Sequence, residues 1–137
     1  MIAVVHSKFN SEITDQLLKG CTDALTEKNV FFKVFSCPGA VETVGYTKKI
    51  ISSLKPSAVI VIGAIIKGDT DHYEYVCQYA VQGHSTLAGM VDIPIVFGIL
   101  TTQNESLAME RASLDKMNKG KEFAETALHM IDAYGQL

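Results

Sequence analysis

Four apolar runs punctuate the chain: IAVV (Ile2–Val5), VFFKVF (Val30–Phe35), SAVIVIGAII (Ser57–Ile66) and IPIVFGIL (Ile93–Leu100). They are rich in β-branched and aromatic residues and nearly unbroken by polar ones, the pattern of strands covered on both faces. The segments between them change period. Ile13, Leu17, Leu18, Cys21 and Leu25 fall on one helical stripe with Lys19 and Asp23 off it, and Phe123, Ala127, Leu128 and Ile131 form another. The spacing predicts the order β-α-β-α-β-α-β-α, with the last helical stretch broken near Lys116–Gly120. Such alternation builds a parallel sheet with helices on both faces, here a three-layer α/β/α sandwich of four strands in a single domain, residues 1–137. Ligands of such sheets bind beyond the carboxyl ends of the strands, so chemistry is expected just after each run.

Composition narrows the function classes. The chain has 137 residues, 47% hydrophobic and 20% charged, with a formal net charge of −3. That is a globular balance, and it lacks the basic face a nucleic-acid partner would want. No stretch approaches the length of a membrane span, and the apolar part of MIAVVHSKFN is too short for a signal peptide. Cys21, Cys37 and Cys77 form no C-x-x-C pair and read as buried thiols of a reducing, cytoplasmic compartment. The histidines lack metal-ligand spacing. Walker, dinucleotide-binding and G-x-S-x-G motifs are absent, and no metal or cofactor is signalled.

The strand ends carry the candidate chemistry. After the first strand, Phe9 and Asn10 can stack on and hydrogen-bond a flat ring; alternatively, Phe9 packs onto a helix capped by Ser11. After the second, SCPGAVET turns into a helix near Ala40. Its free N–H groups can hold carbonyl oxygens, and Glu42 can either accept from hydroxyls or only complement the helix dipole. After the third, Gly68 permits a tight turn, and Asp69-Thr70 lead into a helix from about Asp71. Backbone N–H groups and the threonine hydroxyl make an anion site there. His72, in that first turn, is placed to shuttle protons. After the fourth, Phe97 belongs either to the core or to the site. Arg111 suits bidentate phosphate binding and Lys119 a point-charge contact, though both also fit solvated helix ends.

Taken together, FN, PGAVE, GDTDHYEYV and FGILTT…ERAS…NKG closely resemble the lumazine synthase family along essentially the whole chain. The resemblance implies a flavodoxin-like fold and the penultimate step of riboflavin biosynthesis. In that step 5-amino-6-(D-ribitylamino)uracil condenses with 3,4-dihydroxy-2-butanone 4-phosphate, releasing phosphate and water without cofactor or metal. It further implies that Phe9 stacks on the pyrimidine with Asn10 beside it. Ala40, Val41 and Glu42 hold the ribityl chain and ring polar atoms, and Ala64, Ile65 and Ile66 line the ring site. Gly68, Asp69, Thr70 and Arg111 take the phosphate, and His72 moves protons. Phe97 and Lys119 resemble residues that a neighbouring subunit contributes, so the implied unit is a homopentamer. The chain starts at strand one, where shell-forming relatives carry an extra segment, which points to one pentamer or a pair.

Several positions depart from the family pattern. Lys67 stands where arginine is more frequent; Val41 and Thr43-Val44 stand where an aromatic residue and an Ile-Pro pair are common; Ser113 replaces a glycine. Asp69 puts a carboxylate at the phosphate turn, and repulsion is expected to turn its side chain away. Two other activities remain compatible with the scaffold, an archaeal-type riboflavin synthase and a non-catalytic lumazine- or flavin-binding protein.

Overall fold

A computed structural model describes all residues, 1–137. The elements run β1 (Ile2–Ser7), α1 (Ser11–Glu27), β2 (Phe32–Cys37), α2 (Ala40–Leu54), β3 (Ala58–Ile66), α3 (His72–Ala88), β4 (Ile95–Thr102), α4 (Glu105–Ala112) and α5 (Lys119–Tyr134). The strands form one parallel sheet in the order β2-β1-β3-β4, with Val4 opposite both Val34 and Ile60, and Ile62 opposite Gly98. This is the expected flavodoxin-like α/β architecture. No helix is long and apolar enough to cross a membrane.

Alternation of side chains along the strands divides the core between the two faces. Ile2, Val4, Ile60 and Ile62 point to a layer made by α1, α4 and α5, where they meet Leu17, Cys21, Ala108, Ala124 and Ala127. Ala3, Val5, Val59 and Val61 point the other way, to Ala40 and Ile50 of α2 and Ala80 of α3. On the first face, helices α1 and α5 approach until a Cβ on Gly120 would collide with the Leu17 carbonyl. Small residues at that crossing are therefore a packing requirement.

Two expectations need correction. Coverage on both faces holds for the central strands β1 and β3, which are buried almost throughout, but not for the edges. In β2, Lys33, Val34 and Ser36 are exposed, and in β4 Phe97 and Thr101 are, because an edge strand has a neighbour on one side only. Strands β2 and β4 also start two residues later than their apolar runs. Val30 instead closes α1: its N–H bonds the Leu25 carbonyl at 3.0 Å while Asn29, at φ 55°, bonds that of Thr26 at 2.9 Å. That is a Schellman termination with asparagine at the left-handed position. In the fourth run, Pro94 has no N–H to give a ladder, and regular pairing begins at Ile95.

The break before the last helix spans residues 113–118. Ser113 has φ −55°, which any residue adopts, so its replacement of a glycine costs nothing there. Its carbonyl accepts from the Asn118 N–H at 3.0 Å and holds the loop that delivers Lys119.

Candidate active site

The carboxyl ends of β1, β2 and β3 and the first turns of α2 and α3 enclose a cavity of about 460 Å³. From β1 come Phe9 and Asn10. Phe9 is 69% exposed, so it does not pack into the core, and its ring borders the cavity. Asn10, not Ser11, is the N-cap of α1, and it is left-handed (φ 59°, ψ 49°). A left-handed backbone is tolerated by asparagine. Rather than capping the helix, its Nδ2 donates to the Ala64 carbonyl at 2.9 Å and ties the loop to the end of β3.

The α2 wall begins at Gly39, whose backbone is extended (φ −154°) and which caps the helix without any side-chain bond. A Cβ there would lie 3.0 Å from Glu42 Oε2 and 4.0 Å from Phe9 Cβ. Glycine thus leaves room for the Glu42 carboxylate to fold back toward the free N–H groups of the first turn. Ala40, Val41 and Glu42 all line the cavity. Its floor is apolar: Ala64, Ile65 and Ile66 at the end of β3, with Val76 of α3.

The turn after β3 brings Gly68, Thr70 and His72 to the same cavity. Gly68 is not in the left-handed region, and a Cβ there would meet nothing within 4 Å. The turn therefore does not draw on a left-handed glycine backbone; what Gly68 leaves is open space. Thr70 Oγ1 accepts a long bond, 3.4 Å, from the His72 N–H. Helix α3 starts at His72 with Asp71 before it, and the His72 side chain is exposed at the cavity rim.

Asp69, Phe97, Arg111 and Lys119 do not line this cavity. Asp69 is exposed, and Arg111 Nη1 donates to the Leu107 carbonyl of its own helix at 3.0 Å. Phe97 and Lys119 meet in a second depression of about 440 Å³ beside β4 and α5, which shares no residue with the first. There Lys119 Nζ pairs with Glu122 at 3.1 Å. At the turn after β3, Lys67 pairs with Glu74 at 3.7 Å and stays out of the cavity. One chain therefore builds an aromatic, apolar and hydrogen-bonding pocket with a carboxylate and an imidazole but no cation of its own. No group of three or more His, Cys, Asp or Glu side chains is gathered as metal ligands would be.

Sequence reasoning missed Gly39, Tyr73 and Val76 as lining residues. Gly39 carried a signal, the Pro-Gly pair, but it reads as a turn. Tyr73 and Val76 look like ordinary members of a helical stripe. Burial, with the neighbouring Cys77 thiol, holds the Tyr73 phenol above its usual value, against the effect of Thr101.

Comparison with known proteins bears on the whole chain. The family model described as 6,7-dimethyl-8-ribityllumazine synthase matches residues 1–134. A 6,7-dimethyl-8-ribityllumazine synthase of Coxiella burnetii (strain RSA 493 / Nine Mile phase I) is 41% identical over 133 residues, 95% of this chain and 88% of its own. One from Limosilactobacillus reuteri (strain DSM 20016) is 39% identical over 139 residues, 99% of this chain and 90% of its own. With a match running nearly end to end in the order of the motifs, the chain belongs to the 6,7-dimethyl-8-ribityllumazine synthase family.

Proposed function

We propose that the cavity beyond β1, β2 and β3 is where this enzyme, a transferase, performs its family's condensation. 5-Amino-6-(D-ribitylamino)uracil and 3,4-dihydroxy-2-butanone 4-phosphate are joined to 6,7-dimethyl-8-ribityllumazine, with release of phosphate and water. The observation that carries the assignment is convergence. Residues from three strand ends, far apart in sequence, line one pocket whose chemistry suits a flat polar ring with a polyol tail.

Phe9 stacks on the pyrimidine, and Asn10, its amide committed to Ala64, fixes the loop that carries that ring. The free N–H groups at Ala40 and Val41 take ring oxygens, and Glu42 accepts from ribityl hydroxyls. Ala64, Ile65 and Ile66 form the apolar floor. The phosphate is received by the backbone at Gly68 and Asp69 and by the Thr70 hydroxyl, at the start of α3. Since no Lys or Arg of the same chain lines the pocket, a neighbouring subunit supplies Arg111 to the phosphate and Phe97 and Lys119 to the ring. The sites then lie between subunits, and the family resemblance makes that working unit a homopentamer. His72 moves protons during imine formation, phosphate elimination and ring closure. Holding two reactants together can supply about 7–11 kcal/mol in favourable cases. One imidazole adds on the order of 10²–10⁴-fold, so positioning is the larger part.

The test is steady-state kinetics with both substrates, measured above their spontaneous reaction. Arg111→Ala should raise the KM of the butanone phosphate roughly 10- to 100-fold, the range for a lost charged hydrogen bond, and spare the pyrimidine. Phe9→Ala should do the reverse. Mixing the two inactive-leaning variants after dissociation and reassembly should restore activity, because intact Phe9 and intact Arg111 then meet at some interfaces. Equal weakening of both substrates would overturn the phosphate assignment, and absence of complementation would overturn the shared site.

A further inference from the structure

The first turn of α2 forms the wall of the cavity, yet its N-terminus has no side-chain cap. A turn without a cap frays readily, which is a poor support for a binding surface. On its inner side, Thr43 is fully buried and its Oγ1 donates to the Ala40 carbonyl. The same hydroxyl lies 2.9 Å from Nε2 of His84, which is 2% exposed and sits midway along α3.

Proton counting settles who donates. A hydroxyl has one proton, and Thr43 spends it on Ala40, so its lone pair accepts from an Nε2–H. That leaves Nδ1 of His84 unprotonated, and Nδ1 indeed has no partner. The other tautomer would bury an N–H with nothing to receive it, the costlier orphan. Burial pushes the imidazole down to about 4, so it stays neutral near pH 7. Behind the ring, Phe97 of β4 packs edge-on at 5.8 Å and 62°. Next to it, Gly83 gives Val44 its room, since a Cβ there would press on both Val44 methyls.

We propose that the Thr43–His84 hydrogen bond is a positioning device that anchors this uncapped turn while leaving its N–H groups free. It fastens the Ala40–Glu42 wall to α3 and Phe97, and so sets the affinity for the ring-and-polyol substrate. The proposal rests on the reading that this wall holds the pyrimidine substrate. An apolar pair would fill the same space, but only a hydrogen bond also fixes the rotation of the first turn. Neither residue touches the cavity, so both act through Ala40 and its neighbours.

The experiment compares Thr43→Val, which keeps the shape and loses the hydroxyl, with Thr43→Ser, which keeps the hydroxyl. Thr43→Val should raise the pyrimidine KM about fivefold, the equivalent of one buried neutral hydrogen bond, with the butanone phosphate KM within about twofold of the parent. Thr43→Ser should restore the parent value. Should Thr43→Val not fold, His84→Leu removes the tether while the Thr43 hydroxyl remains satisfied by Ala40, and the same split is expected. Nitrogen NMR of His84 reads the tether without any substrate: the Nε2–H tautomer should persist in the parent and in Thr43→Ser. The opposite tautomer, or equal effects on both KM values, would overturn the proposal. Glu42→Ala separates the two layers of inference. If it raises the pyrimidine KM and both tether variants do not, the coupling is wrong. If none of the three raises it, the ring-site reading itself is wrong and the proposal falls with it.

Discussion

Asn10 allows backbone strain and side-chain bonding to be separated by two substitutions. Its backbone is left-handed at φ 59°, its carbonyl accepts from Ile13 and Thr14 at 3.0 Å each, and its Nδ2 reaches the Ala64 carbonyl at 2.9 Å. Asn10→Ala removes the side-chain bond, worth about 1 kcal/mol. It also places a Cβ-bearing residue with no local compensation in a conformation that costs roughly 1–2 kcal/mol. The expected loss is about 2–3 kcal/mol. Asn10→Gly loses the same bond but adopts the left-handed backbone freely, and a higher unfolded-chain entropy returns only about 0.5–1 kcal/mol of that relief. Glycine should therefore be milder than alanine by roughly 0.5–1 kcal/mol. Denaturant unfolding of the three proteins at one fixed protein concentration measures this, the fixed concentration being needed wherever subunit association contributes. A glycine variant as unstable as the alanine variant, or more so, would refute the strain argument and leave only the hydrogen bond.

Two further outcomes follow from buried groups. His84 is held near 4 by burial, and burial also lowers His6 despite Asp15 at 3.2 Å, so the unfolded chain binds protons that the folded one refuses. Stability is then full above the unfolded histidine value of about 6.5 and falls as pH drops from there toward 4, by up to about 3 kcal/mol from His84. His84→Leu should flatten that slope in urea titrations run from pH 7 to pH 4, and an unchanged slope would count against it. Gly120→Ala would drive a methyl into the Leu17 carbonyl and the Cys21 amide, both backbone. Calorimetry should show a loss of about 3 kcal/mol or failure to fold, and a near-neutral result would contradict the close α1–α5 crossing.

How much was legible in the sequence depended on whether the determining contact was local. Strands β1 and β3 announce themselves because a central parallel strand is apolar on both faces. Strand β2 carries the same signature, yet Val34 is exposed and Phe31, just before it, is 67% exposed. Apolar character does not reveal whether the second face is covered, and edge position is decided by pairing across the sheet. The strand-end rule pointed to Phe9, Glu42, Thr70 and His72, which line one cavity, because a parallel sheet puts all its carboxyl ends on one side. It could not show that Asn10 spends its amide on Ala64, a contact across 54 residues, nor that Tyr73 turns inward. Arg111 and Lys119 sit after the fourth strand in sequence but away from the cavity, because β4 lies at the far edge beyond β3.

Four of the departures from the family pattern, Lys67, Ser113, Asp69 and Thr43, are absorbed where they stand. Lys67 turns its ammonium toward Glu74, so its charge serves the turn rather than a bidentate anion contact. Ser113 occupies a backbone conformation that asks for no glycine. Asp69 keeps its carboxylate in solvent, where repulsion of a phosphate is weakest. Thr43 is the instructive case, because a hydroxyl in place of a branched apolar side chain should be a buried liability. It is tolerable because its proton goes to the Ala40 carbonyl and its lone pair to His84, 41 residues away, which would be an isolated buried imidazole without it. Without Thr43 the His84 ring would have no hydrogen-bond partner at all, and with it only one bare ring nitrogen is left. His84 therefore depends on Thr43 more than Thr43 depends on His84, and the pair stands directly behind the wall of the cavity.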